Sequence, residues 1–188
     1  KEGQEEYIGG GEESYGYLIG DHVRDKDAVA ACALIAELTA VALHEGKSIF
    51  DRLQDIYLQY GFFKERLISI TKKGISGAAE IEQMMKDLRA QPPATINGSQ
   101  TVKAIDYQTG IAKDLQSGEE HKVDFPASNV LQFYLADGSK ISARPTGTEP
   151  KIKFYFSVSE PLADKADYDQ VEALLEARID AIIKDLNP

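Results

Sequence analysis

Two runs of alternating apolar and polar residues flank one short loop late in the chain, and this pattern constrains the fold more than any other feature. The apolar positions of these runs are Leu131, Phe133, Leu135, Ile141 and Ala143 before the loop, and Ile152, Phe154, Phe156 and Val158 after it. Alternation with a period of two is typical of β-strands. The pattern therefore predicts a strand, a loop and a second strand.

The loop between these strands carries groups that suit a phosphate ligand. Arg144 is followed by two hydroxyls and a glycine, at Thr146, Gly147 and Thr148, and Lys153 lies shortly after them. A phosphate is bound by a forked cationic donor, small hydroxyl donors and bare backbone N–H groups. Turns rich in Thr, Gly and Pro are also common without any ligand. The residues alone leave open a solvated hairpin turn and a phosphate site.

The remaining periodicity predicts an α/β segment followed by an α+β domain. Helices are expected at about 25–45, 48–60, 77–90 and 164–186, and strands at about 62–71, 100–107, 110–115, 129–136, 139–144 and 151–159. The first helix is apolar nearly all round, which predicts that it is buried. The expected division is a first domain portion over 1–75, a helix and linker over 76–93, and an antiparallel sheet covered by helices over 94–188.

Composition limits the possible partners. The 188 residues carry a formal net charge of −10, which argues against nucleic-acid binding because that function needs a basic face. The sequence contains no run of about 18 uninterrupted apolar residues, so we expect no membrane span. A single cysteine fits a reducing compartment, and we expect a cytoplasmic protein. The absence of an initiator Met is consistent with a start inside a longer protein.

A second polar segment near the N-terminus suits a sugar ligand. Glu12 and Ser14 stand between glycines, and a carboxylate with a hydroxyl can hold vicinal sugar hydroxyls. His22, Arg24 and Lys26 follow this segment, just before the apolar run of the first helix. Taken singly, an acidic glycine-rich loop, a histidine at a helix entry and a solvated lysine each have an ordinary structural reading.

Both motifs resemble segments of one enzyme family. The residues Arg-Pro-Thr-Gly-Thr-Glu-Pro-Lys-Ile-Lys at 144–153 resemble the phosphate-binding loop in the last domain of the α-D-phosphohexomutases, with Thr146 where the family usually has Ser. The segments 11–16 and 21–27 resemble the sugar-recognition region of the third domain. The resemblance implies the end of domain 3, an α/β unit, followed by the whole of domain 4, whose fold is similar to that of the TATA-box-binding protein.

The resemblance also implies roles for particular residues. Glu12 and Ser14 would bind the sugar hydroxyls. The substrate phosphate would be bound by Arg144, Thr146, Gly147 and Thr148, with Lys153 as a weaker candidate. Lys26 would lie near the reacting oxygen in an acid–base or electrostatic role. His22 and Arg24 are secondary candidates for the same pocket, His22 as a catalytic group.

Two motifs that the family's chemistry requires do not occur in this sequence. These are a serine loop, whose serine carries the phosphoryl group, and an Asp-rich loop that binds Mg²⁺. The resemblance therefore implies a C-terminal portion of a phosphoglucomutase or phosphomannomutase, with hexose phosphate and hexose bisphosphate as ligands and the N-terminal domains as partners. Mg²⁺ would be bound by the parent enzyme outside this chain, and the chain alone would be inactive.

Two alternatives remain open on the sequence. One is a phosphopentomutase-like member of the superfamily, and the other is a non-catalytic sugar-phosphate-binding module. If the chain lacks the opening strands of the third domain, residues 1–75 would leave an unpaired edge and exposed apolar surface. We therefore expect this segment to be marginally stable unless another surface covers it.

Overall fold

The computed structural model describes residues 6–12, 15–72, 74, 76–147 and 149–188. The chain divides into two compact units, an N-terminal unit over 1–56 and a C-terminal unit over 57–188. The sequence had suggested that the first domain portion extends to residue 75. The difference arises because the strand over 62–71 pairs with a strand of the C-terminal unit.

The N-terminal unit consists of a short antiparallel ribbon and helices. Strands β1 (Gly9–Gly11) and β2 (Tyr17–Ile19) pair with Gly10 opposite Leu18. Helix α1 (Ala28–His44) begins after Asp27, whose carboxylate accepts hydrogen bonds from the backbone N–H groups of Val29 and Ala30. These N–H groups have no partner within the helix, so the cap defines where the helix starts.

Helix α2 (Ile49–Tyr60) begins with the capping box that its sequence indicates. The Asp51 N–H donates to Ser48 Oγ over 3.0 Å, and the Ser48 N–H donates to Asp51 Oδ2 over 2.7 Å. The end of the helix lies in the C-terminal unit, where the Tyr57 ring stacks on Phe62 with a centroid separation of 4.2 Å.

The prediction that α1 is buried is wrong. Only Ala42 of this helix is buried, whereas Val29 is 80% exposed and Leu43 is 66% exposed. An all-round apolar helix is buried only where other elements surround it. Within the described residues, the elements of the N-terminal unit do not surround α1.

The C-terminal unit is built on an antiparallel sheet. Its strands are β3 (Phe62–Thr71), β4 (Thr95–Ile96), β5 (Ser99–Asp106), β6 (Ile111–Asp114), β7 (Glu120–Lys122), β8 (Leu131–Leu135), β9 (Lys140–Pro145) and β10 (Lys151–Glu160). They follow the order β3-β10-β9-β8-β5-β6-β7, with β4 paired to β5. The sequence had not predicted β4 or β7, which are too short to show periodicity.

Helices α3 (Gly77–Ala90) and α4 (Tyr168–Leu186) lie against one face of this sheet. A 3-10 turn over Lys165–Asp167 precedes α4, so the helix starts later than the predicted residue 164. The buried side chains alternate along the strands and meet those of the helices; they include Phe133, Phe154, Phe156, Met85, Leu175 and Ile179. The opposite face of the sheet therefore carries the alternate residues.

The described residues contain no single helix that is long and apolar enough to cross a membrane. Helices α1 and α2 pass this test only when taken together, and an 87° bend separates them.

Candidate functional site

The loop between β9 and β10 holds its shape through hydrogen bonds of its own. The Thr146 N–H donates to the Lys151 carbonyl over 2.8 Å, and the Lys151 N–H donates to the Glu149 carbonyl over 2.7 Å. The Thr146 hydroxyl lies 2.8 Å from the Glu149 carbonyl and 3.3 Å from the Lys151 carbonyl. The Thr146 hydroxyl thus donates to backbone carbonyls within the loop, and this contact stabilises the turn.

Gly147 occupies an exposed position that the fold itself does not restrict to glycine. A Cβ built on Gly147 would meet no heavy atom within 4 Å, and its φ does not lie in the left-handed region. Glycine at such a position would let a ligand approach the backbone closely. Thr148, the second predicted hydroxyl, lies outside the described residues.

Arg144 and Lys153 form a pair of cations at the base of the loop. Their Cα atoms are direct partners across β9 and β10, next to the buried Ala143 and Phe154. The strand alternation places both side chains on the sheet face opposite α3 and α4. Like charges directly opposite each other destabilise a strand pair, so this arrangement has a cost that a bound anion would relieve.

The neighbouring Lys151 is held in an ion pair within the loop. Lys151 Nζ lies 2.7 Å from a Glu149 carboxylate oxygen, and this hydrogen bond lowers the Glu149 pKa. Lys153 forms no ion pair with any other residue that the structure describes. Of the two lysines, Lys153 is therefore the one whose charge no described carboxylate balances.

The side of the loop that faces α3 is lined by acidic and neutral residues. A hollow of about 350 Å³ lies between the loop and the first turns of α3, and its lining includes Glu82, Glu149 and Asn129. Both carboxylates are paired with lysines, Glu149 with Lys151 and Glu82 with Lys86, and the described lining of the hollow contains no cation that could bind an anion. An anion at this loop would bind from the open face of the sheet.

The described part of the predicted sugar segment lies at the tip of the β1–β2 ribbon. The Glu12 N–H donates to the Gly16 carbonyl over 2.8 Å, and the Tyr15 N–H donates to the Glu12 carbonyl over 3.2 Å. Tyr15 closes this tip with a φ of 64°, a conformation that is uncommon for residues other than glycine. Ser14 lies outside the described residues.

Lys26 and Glu12, both predicted site residues, are in contact because the Lys26 side chain extends back to the ribbon tip. Lys26 Nζ lies 3.2 Å from Glu12 Oε1 and 3.0 Å from Asp25 Oδ1. These bonds raise the Lys26 pKa, with the larger contribution from Asp25. The lysine is therefore protonated at neutral pH, which suits hydrogen-bond donation or charge stabilisation better than proton abstraction.

His22 and Arg24 lie in the exposed segment before α1. His22 Nε2 is 3.9 Å from Asp27 Oδ2, on the carboxylate that caps α1. Arg24 forms no ion pair with another residue of the described ranges. Neither residue contacts Glu12 or Lys26 in any hydrogen bond or ion pair of this segment.

Two residues of this segment were not predicted from the sequence. Asp25 holds Lys26, and Gly16 lies beneath the Lys26 side chain. The adjacency of Asp25 and Lys26 was a visible signal, although neighbouring opposite charges are common on surfaces. The Gly16 contact depends on how the chain folds back over ten residues, which no local pattern shows.

The acidic residues near α1 do not form a metal site. Asp25 accepts from Lys26, Asp27 caps α1, and no group of three metal-ligating side chains occurs among the residues with described positions. Oxygen-rich sites for Mg²⁺ or Ca²⁺ need several uncommitted ligands. The described residues thus do not fit the Mg²⁺ that the family implies.

Comparison with known proteins agrees with the family resemblance. Residues 1–60 match the family model of phosphoglucomutase/phosphomannomutase, alpha/beta/alpha domain III. The chain is 39% identical over 156 residues to a phosphoglucomutase of Staphylococcus epidermidis, covering 83% of this chain and 28% of that protein. It is 40% identical over 169 residues to a phosphoglucomutase of Staphylococcus aureus, covering 89% of this chain and 29% of that protein.

Among solved structures, the chain is similar to the open form of the exocytosis-sensitive phosphoprotein pp63/parafusin, a phosphoglucomutase from Paramecium. The TM-score is 0.47 with 16% sequence identity, and the match covers 92% of this chain and 30% of that one. The chain thus spans less than a third of the length of the relatives that it matches.

Proposed function

Because the chain belongs to the phosphohexomutase family and corresponds to the C-terminal part of its members, we propose that it is the sugar- and phosphate-binding portion of a phosphoglucomutase or phosphomannomutase. In the proposed reaction, a serine elsewhere in the whole protein gives its phosphoryl group to a hydroxyl of a hexose phosphate. The resulting hexose bisphosphate returns its other phosphoryl group to the serine, and the hexose phosphate leaves as its positional isomer.

The C-terminal unit would bind the phosphate group that is not being transferred. The observation that carries this proposal is the cross-strand pair of Arg144 and Lys153 beside a self-supporting loop. A guanidinium can donate two parallel hydrogen bonds to phosphate oxygens, and the ammonium adds a second positive charge. Gly147 would allow the backbone to approach the phosphate closely.

The N-terminal unit would bind the sugar hydroxyls. A sugar hydroxyl is both a donor and an acceptor, so the Glu12 carboxylate and the Lys26 ammonium can bind neighbouring hydroxyls. In this proposal Lys26 stabilises charge on an oxygen while it remains protonated. The chain itself would supply binding and orientation without the transferred group, so we expect no mutase activity from it alone.

The experiment that tests the phosphate site is a calorimetric titration of the full chain with glucose 1-phosphate. Arg144→Ala removes charge-assisted hydrogen bonds worth about 1.5–3 kcal/mol, so binding should weaken roughly ten- to a hundredfold. Lys153→Ala should weaken it less, because an ammonium binds phosphate as a single point charge. Lys122→Ala is the matched control, since Lys122 is exposed on β7 in the same unit and away from the loop.

Equal affinity of the Arg144 and Lys122 variants would contradict the proposed phosphate site, provided that both variants keep the circular dichroism spectrum of the parent chain. Repeating the titration with ribose 1-phosphate tests the pentomutase alternative. A clear preference for the pentose would replace the hexose assignment and leave the phosphate site in place.

A further inference from the structure

The contact between Lys26 and Glu12 depends on two residues that have no role in the proposed function. Lys26 lies between two carboxylates, with Nζ 3.2 Å from Glu12 Oε1 and 3.0 Å from Asp25 Oδ1. Glu12 and Lys26 are 14 residues apart, whereas Asp25 is the direct neighbour of Lys26. The Lys26 side chain reaches Glu12 in only some of its conformations, so its neighbours decide whether the contact forms.

Gly16 leaves the space through which the Lys26 side chain passes. A Cβ on Gly16 would lie 2.2 Å from Cδ and 2.6 Å from Cγ of Lys26, and 3.3 Å from Glu12 Oε2. Contacts below 3.0 Å are not tolerated, so any side chain at this position would displace the lysine. The φ of Gly16 is not in the left-handed region, so the backbone conformation does not itself require glycine here.

Asp25 is fixed by the backbone and can therefore fix the lysine. Its Oδ1 accepts the Lys26 backbone N–H over 2.7 Å as well as the Lys26 ammonium. Asp27, the residue after Lys26, donates its N–H to the Tyr17 carbonyl over 2.9 Å and caps α1. The segment that carries Lys26 is thus tied to the β1–β2 ribbon on one side and to α1 on the other.

We propose that Asp25 and Gly16 are positioning residues, which hold the Lys26 ammonium beside the Glu12 carboxylate so that the ribbon tip presents a joined acceptor and donor to a vicinal diol of a sugar. This inference rests on the proposed function of the Glu12 segment. A carboxylate accepts from one hydroxyl of the diol, while an ammonium donates to the oxygen of its neighbour. The spacing of the two groups would then select ligands that carry two adjacent hydroxyls.

The electrostatics of the segment agree with this arrangement. Hydrogen bonds from the Lys26 backbone N–H and from its ammonium lower the Asp25 pKa. The hydrogen bonds that the Lys26 ammonium makes to Asp25 and to Glu12 raise the Lys26 pKa. Both groups therefore stay charged across the neutral range. The other ionisable residues of this segment, Asp21, His22, Arg24 and Asp27, form no ion pair with Lys26, Glu12 or Asp25 in its described part.

The first test is an NMR titration of the Lys26 side chain in the full chain, followed through its Cε resonance and assigned with Lys26→Arg. Asp25→Asn and Gly16→Ala should each lower the Lys26 pKa. Asp21→Asn is the matched control, because Asp21 is an exposed aspartate of the same segment and makes no hydrogen bond or ion pair among the described residues. Unchanged amide shifts over Gly9–Gly11 and Tyr17–Ile19 would show that the ribbon is intact.

An unchanged Lys26 pKa in either variant, with the ribbon intact, would overturn the positioning role. The second test is the affinity for glucose 1-phosphate, which should fall about threefold in both variants, as expected for loss of one exposed ion pair. Asp25→Glu should restore most of it. If the lysine titration changes and the affinity does not, the role in diol binding is overturned.

The two tests separate this inference from the proposed function. If the parent chain binds no glucose 1-phosphate, the proposed function fails for the chain alone. The lysine titration still decides whether Asp25 and Gly16 hold Lys26 against Glu12, because it needs no ligand.

Discussion

Single residues in both motifs have tasks that differ from those their types suggest. Thr146 stands in a loop with the composition of a phosphate site, yet its hydroxyl donates within the loop to the Glu149 carbonyl. Lys26 is exposed in part, yet its ammonium is held between two carboxylates. At this scale the chemistry depends on which partner each polar group finds.

Replacing Thr146 tests its structural task. Thr146→Val keeps the shape of the side chain and removes the hydroxyl, so the C-terminal unit should lose about 1 kcal/mol of its free energy of unfolding, the value of one intramolecular hydrogen bond. Thr146→Ser should be close to the parent chain. Urea denaturation measures both, and equal stability of the Val variant would show that the hydroxyl does not support the loop.

At the scale of elements, charged residues join α4 to the edge strand β3. Lys64 and Arg66 on β3 both contact Glu176 of α4, and Lys64 also lies 2.7 Å from Glu172. The carboxylates of α4 thus balance the charges of Lys64 and Arg66, whose side chains are half-buried. The edge strand is therefore held by its pairing with β10 on one side and by these ion pairs on its helix-facing side.

The Glu176 contacts predict an acid-sensitive contribution to stability. Hydrogen bonds from Lys64 and then from Arg66 lower the Glu176 pKa below its ordinary value of 4.5. A carboxylate whose pKa is lower in the folded state stabilises the fold above its unfolded-state pKa, and this stabilisation is lost as the pH falls through the folded-state pKa. The stability gap between the parent chain and Glu176→Gln should thus exist at pH 7 and close below pH ~4.

Urea denaturation over a pH series measures this gap. Glu65→Gln is the matched control, because Glu65 lies on β3 but faces away from the helices and forms no ion pair with a described residue. A gap that stays constant from pH 7 to pH 3 would show that the loss in Glu176→Gln does not come from its charge.

At the scale of the whole molecule, the two units differ in how much apolar surface they bury. The C-terminal unit contains nearly all the buried side chains, including the fully buried Leu175, Ile179 and Ile182 of α4. Helix α1 of the N-terminal unit has one buried residue. Since burial of apolar surface is the main stabilising contribution to folding, the N-terminal unit should be the less stable of the two.

Hydrogen exchange of the full chain tests this difference. Backbone amides of α1 should exchange at least an order of magnitude faster than those of β10 and α4, because local opening costs less free energy where few side chains are buried. Equal protection in a monomeric sample would contradict the prediction. Equal protection that disappears on dilution would indicate that another copy of the chain covers α1.

Local patterns explain why much of the secondary structure follows from the sequence. The ends of α2 and β3 and the strand–loop–strand unit around Gly147 were predicted closely, because caps, glycines and period-two alternation act over a few residues. The failures are equally instructive. The short strands β4 and β7 were missed, and the apolar helix α1 is largely exposed.

The sequence by itself determined the order of the helices and the longer strands and the residue types at the two motifs, and it indicated the family. Only the tertiary structure decided that β3 pairs with β10, that Lys26 reaches Glu12 over Gly16, and that the Thr146 hydroxyl turns into its own loop. The first two are contacts between residues far apart along the chain, and the third is a local contact whose direction the residue types do not fix. Local propensity places a residue on a strand or in a turn, whereas the partner of a side chain is selected by packing of the whole unit.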